Sequence, residues 1–434
     1  MSANPATGPG AETSGPEAQT GFPSYLVTQG AWFLAFGVQM VLFPYLVRVV
    51  LQENEIRFGL AQMSMQLPTV LLILLGGYFA DRVDTLRVVL IGCGLCALSF
   101  LALGAFVAGG RLTYAAVILY ALGIGTIGAF VTPARDALLS RVAPGGVQQA
   151  VGMATLAQFG GQIAGMAAAA AAPIVGLTTL LFGQAAMMTL AAGAALKIRP
   201  RPAGPPRTRE GGALGFIFSE ISVGFRAAAA SPVIAPVILC AVGMGICFMG
   251  AFSVLLPLIV ESYFPRDLAG SAQAKIATAL GVFSITFWIG SILSTTVLIR
   301  FGDLQRKGRV YLAALFSGAC VLILCSLPMP FWLLCGLNLV WGLGGGVAMT
   351  LGRGLVQRYS PPDKLARILS IFTLGNMGAA PAGAVLYGVL AHAIGPRAAI
   401  LFPGLGMLVI VGAVTMLSQL WHLDEAQPAT APGS

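Results

Sequence analysis

Charge is what this chain lacks. It has 434 residues but only 24 Lys+Arg, 15 Asp+Glu and two His, so charged residues make up 9%. A soluble globular domain carries about 25%, so a soluble enzyme and a disordered chain are both excluded. None of the acidic residues falls at the centre of an apolar run, and His392 and His422 lie at a run's end and in the C-terminal tail. No His/Asp/Glu/Cys cluster or nucleophile–base pair is present to carry catalysis, so no enzyme, cofactor or metal is expected. The seven cysteines all lie inside apolar runs. Cys93 and Cys96 have C-x-x-C spacing, but no second pair accompanies them, and buried thiols there act as small hydrophobes. The short alternating segments of a membrane β-barrel are also absent.

What is present is apolar length. Hydrophobic residues reach 57%, in runs of the roughly 20 residues that cross a bilayer as helix. Twelve spans are predicted: 25–50, 59–80, 85–108, 112–132, 148–173, 178–196, 233–263, 272–298, 310–327, 331–351, 365–391 and 397–420. With the N-terminus placed inside, 18 of the 24 Lys and Arg fall in loops on the inner side. That bias predicts both termini in the cytoplasm. The net charge of +9 is therefore a topology signal, and no nucleic-acid partner is expected.

The predicted organisation is all-α, in two halves. Residues 1–20 form a polar tail rich in Gly, Pro, Ser and Thr, expected to be disordered and cytoplasmic. Residues 21–198 form the first six-helix bundle, and 232–422 the second. Between them, 199–231 is a cytoplasmic linker; Leu214, Ile217, Phe218, Ile221 and Phe225 share one side of an amphipathic helix expected on the membrane surface. Residues 423–434 form a second cytoplasmic tail. The halves repeat each other at a constant offset. Leu138, Arg141 and Pro144 fall on Leu355, Arg358 and Pro361, while Gly125 and Gly128 fall on Gly342 and Gly345. Parallel repeats of this kind build transporters with a substrate site between the halves.

Between spans two and three stands Gly77-Tyr-Phe-Ala-Asp81-Arg82-Val-Asp84-Thr-Leu-Arg87. This resembles the loop signature of the major facilitator superfamily, departing from it where Asp84 replaces the usual Gly and Thr85-Leu86 part of the basic run. The resemblance implies a gate formed by Asp81, Arg82 and Arg87 with Asp136, closing the cytoplasmic mouth. The stretch from Gly342 through Arg353, Arg358 and Pro361 to Gly383, with Thr132-Pro133-Ala134-Arg135-Asp136, is similar to the branch that holds enterobactin and macrolide exporters. The branch implies export of drugs or siderophores, in the superfamily often against protons. The span-five antiport signature is only half present, since Gly161 and Gly165 are followed by Met166 and an Ala run in place of Gly-Pro.

Amides and aromatics line the expected path. Gln29, Trp32, Phe36 and Gln39 share a face of span one. Gln158 and Gln162 lie in span five, Trp288 in span eight, Asn338 and Trp341 in span ten, and Asn376 in span eleven. A buried amide must be bonded, so these groups bond each other, a neighbouring helix or substrate. Glu261, at the outer end of span seven with Arg48 on the same side, is the candidate proton-coupling group; alternatively it is an interfacial carboxylate in water. The expected function is alternating-access efflux of an amphipathic small molecule of low net charge by a monomer in the bacterial inner membrane. The partners are that solute, the bilayer and, as a candidate coupling ion, the proton. Uptake or facilitated diffusion of a neutral metabolite, lipid flipping, and a non-transporting receptor are the alternatives.

Overall fold

The computed structural model describes residues 16–80, 83–143, 147–199, 222–263, 271–301, 306–361 and 364–423. Among these, every regular element is helical, and eleven helices are long and apolar enough to cross a membrane. The first half holds α1 (Pro16–Tyr45, continued by a π-wound turn, Leu46–Val50), α2 (Glu55–Ala80) and α3 (Thr85–Ala108). It is completed by α4 (Tyr114–Val142), α5 (Val147–Ala170) and α6 (Leu177–Ala195). The second holds α7 (Ile234–Glu261), α8 (Ser271–Phe301), α9 (Lys307–Leu324) and α10 (Phe331–Tyr359). It ends with α11, broken at Ala379 into Leu365–Gly378 and Ala380–Ile394, and α12 (Leu401–Leu417). The helix less apolar than the other eleven is α5, whose Gln148, Gln149, Gln158 and Gln162 dilute a run that is otherwise mostly Ala and Gly.

Helix ends follow local chemistry. Asp84 caps α3 by accepting from the Leu86 N–H, and Thr113 caps α4 through Ala116 N–H. Pro16 opens α1, inside the tail predicted to be disordered; a proline at the first helical position has no N–H to lose. Most of the linker lies outside the described residues, and helix 222–229 is its visible end.

Two spans outrun their predicted lengths. Hydropathy ends span four at 132 and span ten at 351, where charges begin, yet α4 continues to Val142 and α10 to Tyr359. Helical hydrogen bonding does not stop at the first charge. Arg135, Asp136 and Arg353 therefore sit on transmembrane helices rather than in loops.

The repeat is visible as packing. A Cβ on Gly125 would collide with the Met65 carbonyl oxygen, and one on Gly342 with that of Phe287. The repeated glycines thus seat α4 on α2 and α10 on α8. Small residues let membrane helices approach backbone to backbone. The seven cysteines are free thiols, six of them buried.

Where the halves meet, contacts run from the end of the molecule opposite the chain termini to about its middle. At that far end α2 lies on α11: a Cβ on Gly59 would be 2.6 Å from the Ala384 carbonyl oxygen, and one on Gly388 would be 2.8 Å from that of Glu55. Likewise α5 lies on α8, where Thr278 donates to the Ala170 carbonyl at 2.7 Å. Nearer the middle, Gly378 faces Val70.

Gly342→Val should force α8 and α10 apart and cost about 1–3 kcal/mol, lowering the thermal midpoint of purified protein in detergent. Gly94→Ala, with nothing within 4 Å of its new Cβ, should leave that midpoint unchanged or raise it.

Candidate functional site

The polar groups that bear on transport lie at three depths. At the far end, the π-wound turn closing α1 carries Arg48 inward, where it is 6% exposed. Its Nε donates to Glu261 Oε2 at 2.8 Å and its Nη2 to Glu261 Oε1 at 3.3 Å, across the two halves. Nη2 also donates to Glu55 Oε1 at 3.0 Å, and Nη1 to the Glu53 carbonyl. The other oxygen of Glu55 meets His392 Nδ1 of α11 at 3.0 Å, a second crossing between halves. Glu261 is thus no carboxylate in open water: it is buried and ion-paired with Arg48. Removing one partner of such a pair leaves an uncompensated buried charge, at about 3–5 kcal/mol.

At mid-depth an aromatic cluster fills the second half. Phe248 and Phe252 of α7, Phe287 and Trp288 of α8, and Trp341 of α10 lie with ring centroids 5.0–5.9 Å apart. Phe159 of α5 joins it across the halves, 5.7 Å from Trp288. Of these rings the sequence reading picked out only the two indoles. The phenylalanines carry no polar handle, and a ring on an apolar helix is indistinguishable from lipid-facing bulk until neighbouring helices are placed.

The amides divide into two groups. Asn338 Nδ2 donates to the Phe283 carbonyl at 2.7 Å and to Thr286 Oγ1 at 3.1 Å, which ties α10 to α8. Gln39 Oε1 accepts from Tyr120 at 2.6 Å, tying α1 to α4. These two act within their own bundles. The buried oxygens of Gln29, Gln162, Asn376 and Asn338 itself, and the indole N–H of Trp288, have no partner among the described residues. Gln162 makes only a weak contact from Nε2 to Met40 Sδ, at 3.1 Å. Gln158 is half-buried, and Phe36 is 41% exposed on a helix packed on several sides.

Towards the end bearing the chain termini, the implied gate is described in part. Asp81 and Arg82 lie outside the described residues. Arg87 is exposed and stands 3.6 Å from Asp84. Asp136 of α4 and Arg353 of α10 come within electrostatic reach of each other across the halves.

One charge lies inside a membrane helix and not in a loop. Arg135 of α4 is 3% exposed, and its guanidinium stands 5.2 Å from the Trp32 ring and 4.7 Å from the Phe33 ring. Its Nε and Nη1 have no hydrogen-bond acceptor among the described residues. Desolvated cation–π contact is worth about 2 kcal/mol or more, against several kcal/mol to bury the charge.

Comparison with known proteins bears on the family and the fold. The enterobactin exporter EntS of Escherichia coli (strain K12) is 25% identical over 369 residues, 82% of either chain. The EntS of Escherichia coli O6:K15:H31 (strain 536 / UPEC) is 26% identical over 378 residues, 83% of this chain and 84% of its own. Among solved structures, the nucleoside transporter NupG superposes with a TM-score of 0.71 at 14% identity, covering 91% of this chain and 98% of its own. A bacterial homologue of the human lysosomal transporter Spinster, inward-facing and unoccupied, superposes with a TM-score of 0.69 at 14% identity, covering 96% and 100%. These two likenesses show the fold. The family described as transmembrane secretion effector matches residues 28–432, and the chain belongs to it: a membrane-spanning transporter of the major facilitator type.

Proposed function

We propose that this chain exports an amphipathic small molecule across a bacterial inner membrane by alternating access. The end bearing the termini faces the cytoplasm, as the Lys and Arg distribution favours. The far end then faces outward, and the conformer described is closed there. The observation that carries this reading is the Arg48–Glu261 pair, with Glu55 and His392, joining the halves at that end. An ion-paired closure is one that rigid-body rocking of two bundles makes and breaks. Below it, the unpartnered Gln29, Gln162, Asn376 and Trp288 groups, together with the Phe159–Trp288 ring contact, suit an amphipathic solute with hydrogen-bonding edges. The relatives named for enterobactin export favour a siderophore or a molecule of similar build.

The far-end chain also suggests how protons would enter. Glu261 is held by Arg48 while the outer end is closed, and opening that end parts the pair. In an antiporter this is the point at which the solute has left and the proton binds. Glu261 is therefore the proposed coupling group. At the other end, Asp81, Arg82 and Arg87, with Asp136 facing Arg353, form the proposed inner gate.

Expressed in cells lacking their own enterobactin exporter, the chain should restore secretion of the siderophore or lower accumulation of amphipathic drugs. If no solute of either kind moves outward, in cells or in inverted vesicles, the export reading fails. The outer closure has its own test. A disulfide between Ala170→Cys and Thr278→Cys should form readily in the otherwise native chain and at least tenfold more slowly with Glu261→Gln added, because losing about 3 kcal/mol moves a population by two decades. Equal rates would show that the pair does not hold the outer end shut.

A further inference from the structure

Arg135 has no role in the closure, the aromatic cluster or the amide set. It is a cation inside a transmembrane helix, 3% exposed, with Nε and Nη1 lacking any acceptor among the described residues. Intramembrane charges are rare and mark functional positions. The groups that would ordinarily neutralise it do not do so. Asp136, next in sequence, is exposed and within electrostatic reach, yet it takes neither of those two donors. Tyr25 donates its hydroxyl to the Arg135 carbonyl at 3.3 Å, so it braces the backbone and takes neither of those two donors. Cys93 of α3 is a further neighbour, a buried free thiol.

What surrounds the guanidinium is aromatic. Trp32 and Phe33 of α1, one turn beyond Gln29, stand beside it and are half-buried. Phe33 meets Phe36 edge to face, with centroids 6.1 Å apart, and Phe36 is 41% exposed. A line of rings therefore leads from an exposed face of α1 to a planar cationic fork with free donors. A guanidinium fork matches the two oxygens of a carboxylate, and the rings match a flat, conjugated body.

We propose that Arg135, Trp32 and Phe33 form a recognition site for an aromatic carboxylate, the acidic head of the transported molecule. The acid's ring lies along Phe36 and Phe33. Its carboxylate displaces the edge of Trp32 and takes one edge of the Arg135 fork, Nη2 together with Nε or Nη1. This names a substrate class for the export reading and rests on it for direction of movement, though not for binding. It also replaces the expectation of a solute of low net charge with one of an acid.

The test is binding by purified protein in lipid nanodiscs, with naphthoate as the probe and neutral naphthalenemethanol as its uncharged counterpart. The native chain should hold the acid at least tenfold more tightly than the alcohol, and naphthoate should quench fluorescence that Trp32→Phe removes. Arg135→Met should abolish the preference while leaving alcohol binding intact, which also reports that the variant is folded. Arg135→Lys keeps the charge but loses the fork, and should reduce the preference at least threefold. No preference in the native chain, or an undiminished preference in Arg135→Lys, overturns the site. Acid binding that depends on Arg135 in a chain that exports nothing would leave the site standing and remove the export reading.

Discussion

One guanidinium ties the two halves together by charge at the far end of this conformer. Arg48 lies between Glu261 of the second half and Glu55 of the first, with the Glu53 carbonyl taking a further donor. Remove it, and two carboxylates stand close together in a poorly solvated place, each destabilising the other's charge. Remove either carboxylate, and the remaining charges lose their balance. The join is therefore conditional on all its members, unlike a hydrophobic contact, which weakens by degrees. That conditionality suits a transporter, whose two end states must both be well formed and whose intermediate must be brief. The π-wound turn at Leu46–Val50 contributes by carrying Arg48 inward at the end of α1.

The interior below this join divides into fixed and free polarity. The Asn338 amide N–H and the Gln39 oxygen are bonded within their own bundles and keep helices in register. The unpartnered oxygens of Gln29, Gln162 and Asn376 are left for something other than protein. Buried polar groups without partners destabilise a chain, so retaining several on α1, α5 and α11 is consistent with a site that a solute completes. The rings of Phe159, Trp288 and Phe287 give that depth its apolar walls.

Most of the fold was legible in the sequence, because a bilayer imposes helix length so strictly. Span positions, the internal repeat and the superfamily resemblance followed from hydropathy and a few motifs. Hydropathy failed in one consistent way. It places a span's end at the first charge, whereas a helix ends where its hydrogen bonds do. For α4 and α10 that difference is ten and eight residues, and it moves Arg135, Asp136 and Arg353 from loops into helices. The candidate site was legible only as residue types. Gln39 and Gln162 look alike in the sequence, and only packing shows that one has a strong partner and the other does not. The pairing of Arg48 with Glu261 joins residues 213 apart, and nothing local announces it.

The glycines on the seam between α2 and α11 have a consequence for how the halves come back together. Gly59 and Gly388 put backbone against backbone, with no room even for a methyl group. A seam lined by long side chains could close in several nearly equivalent alignments, each filling the gaps differently. A seam of bare backbone has one seating, because a shift of one residue along either helix drives a side chain into the opposing main chain. The two bundles are therefore indexed like a toothed clutch. Each return to this conformer restores the same relative alignment of Phe159 and Trp288, and with it the same shape of the space between the halves.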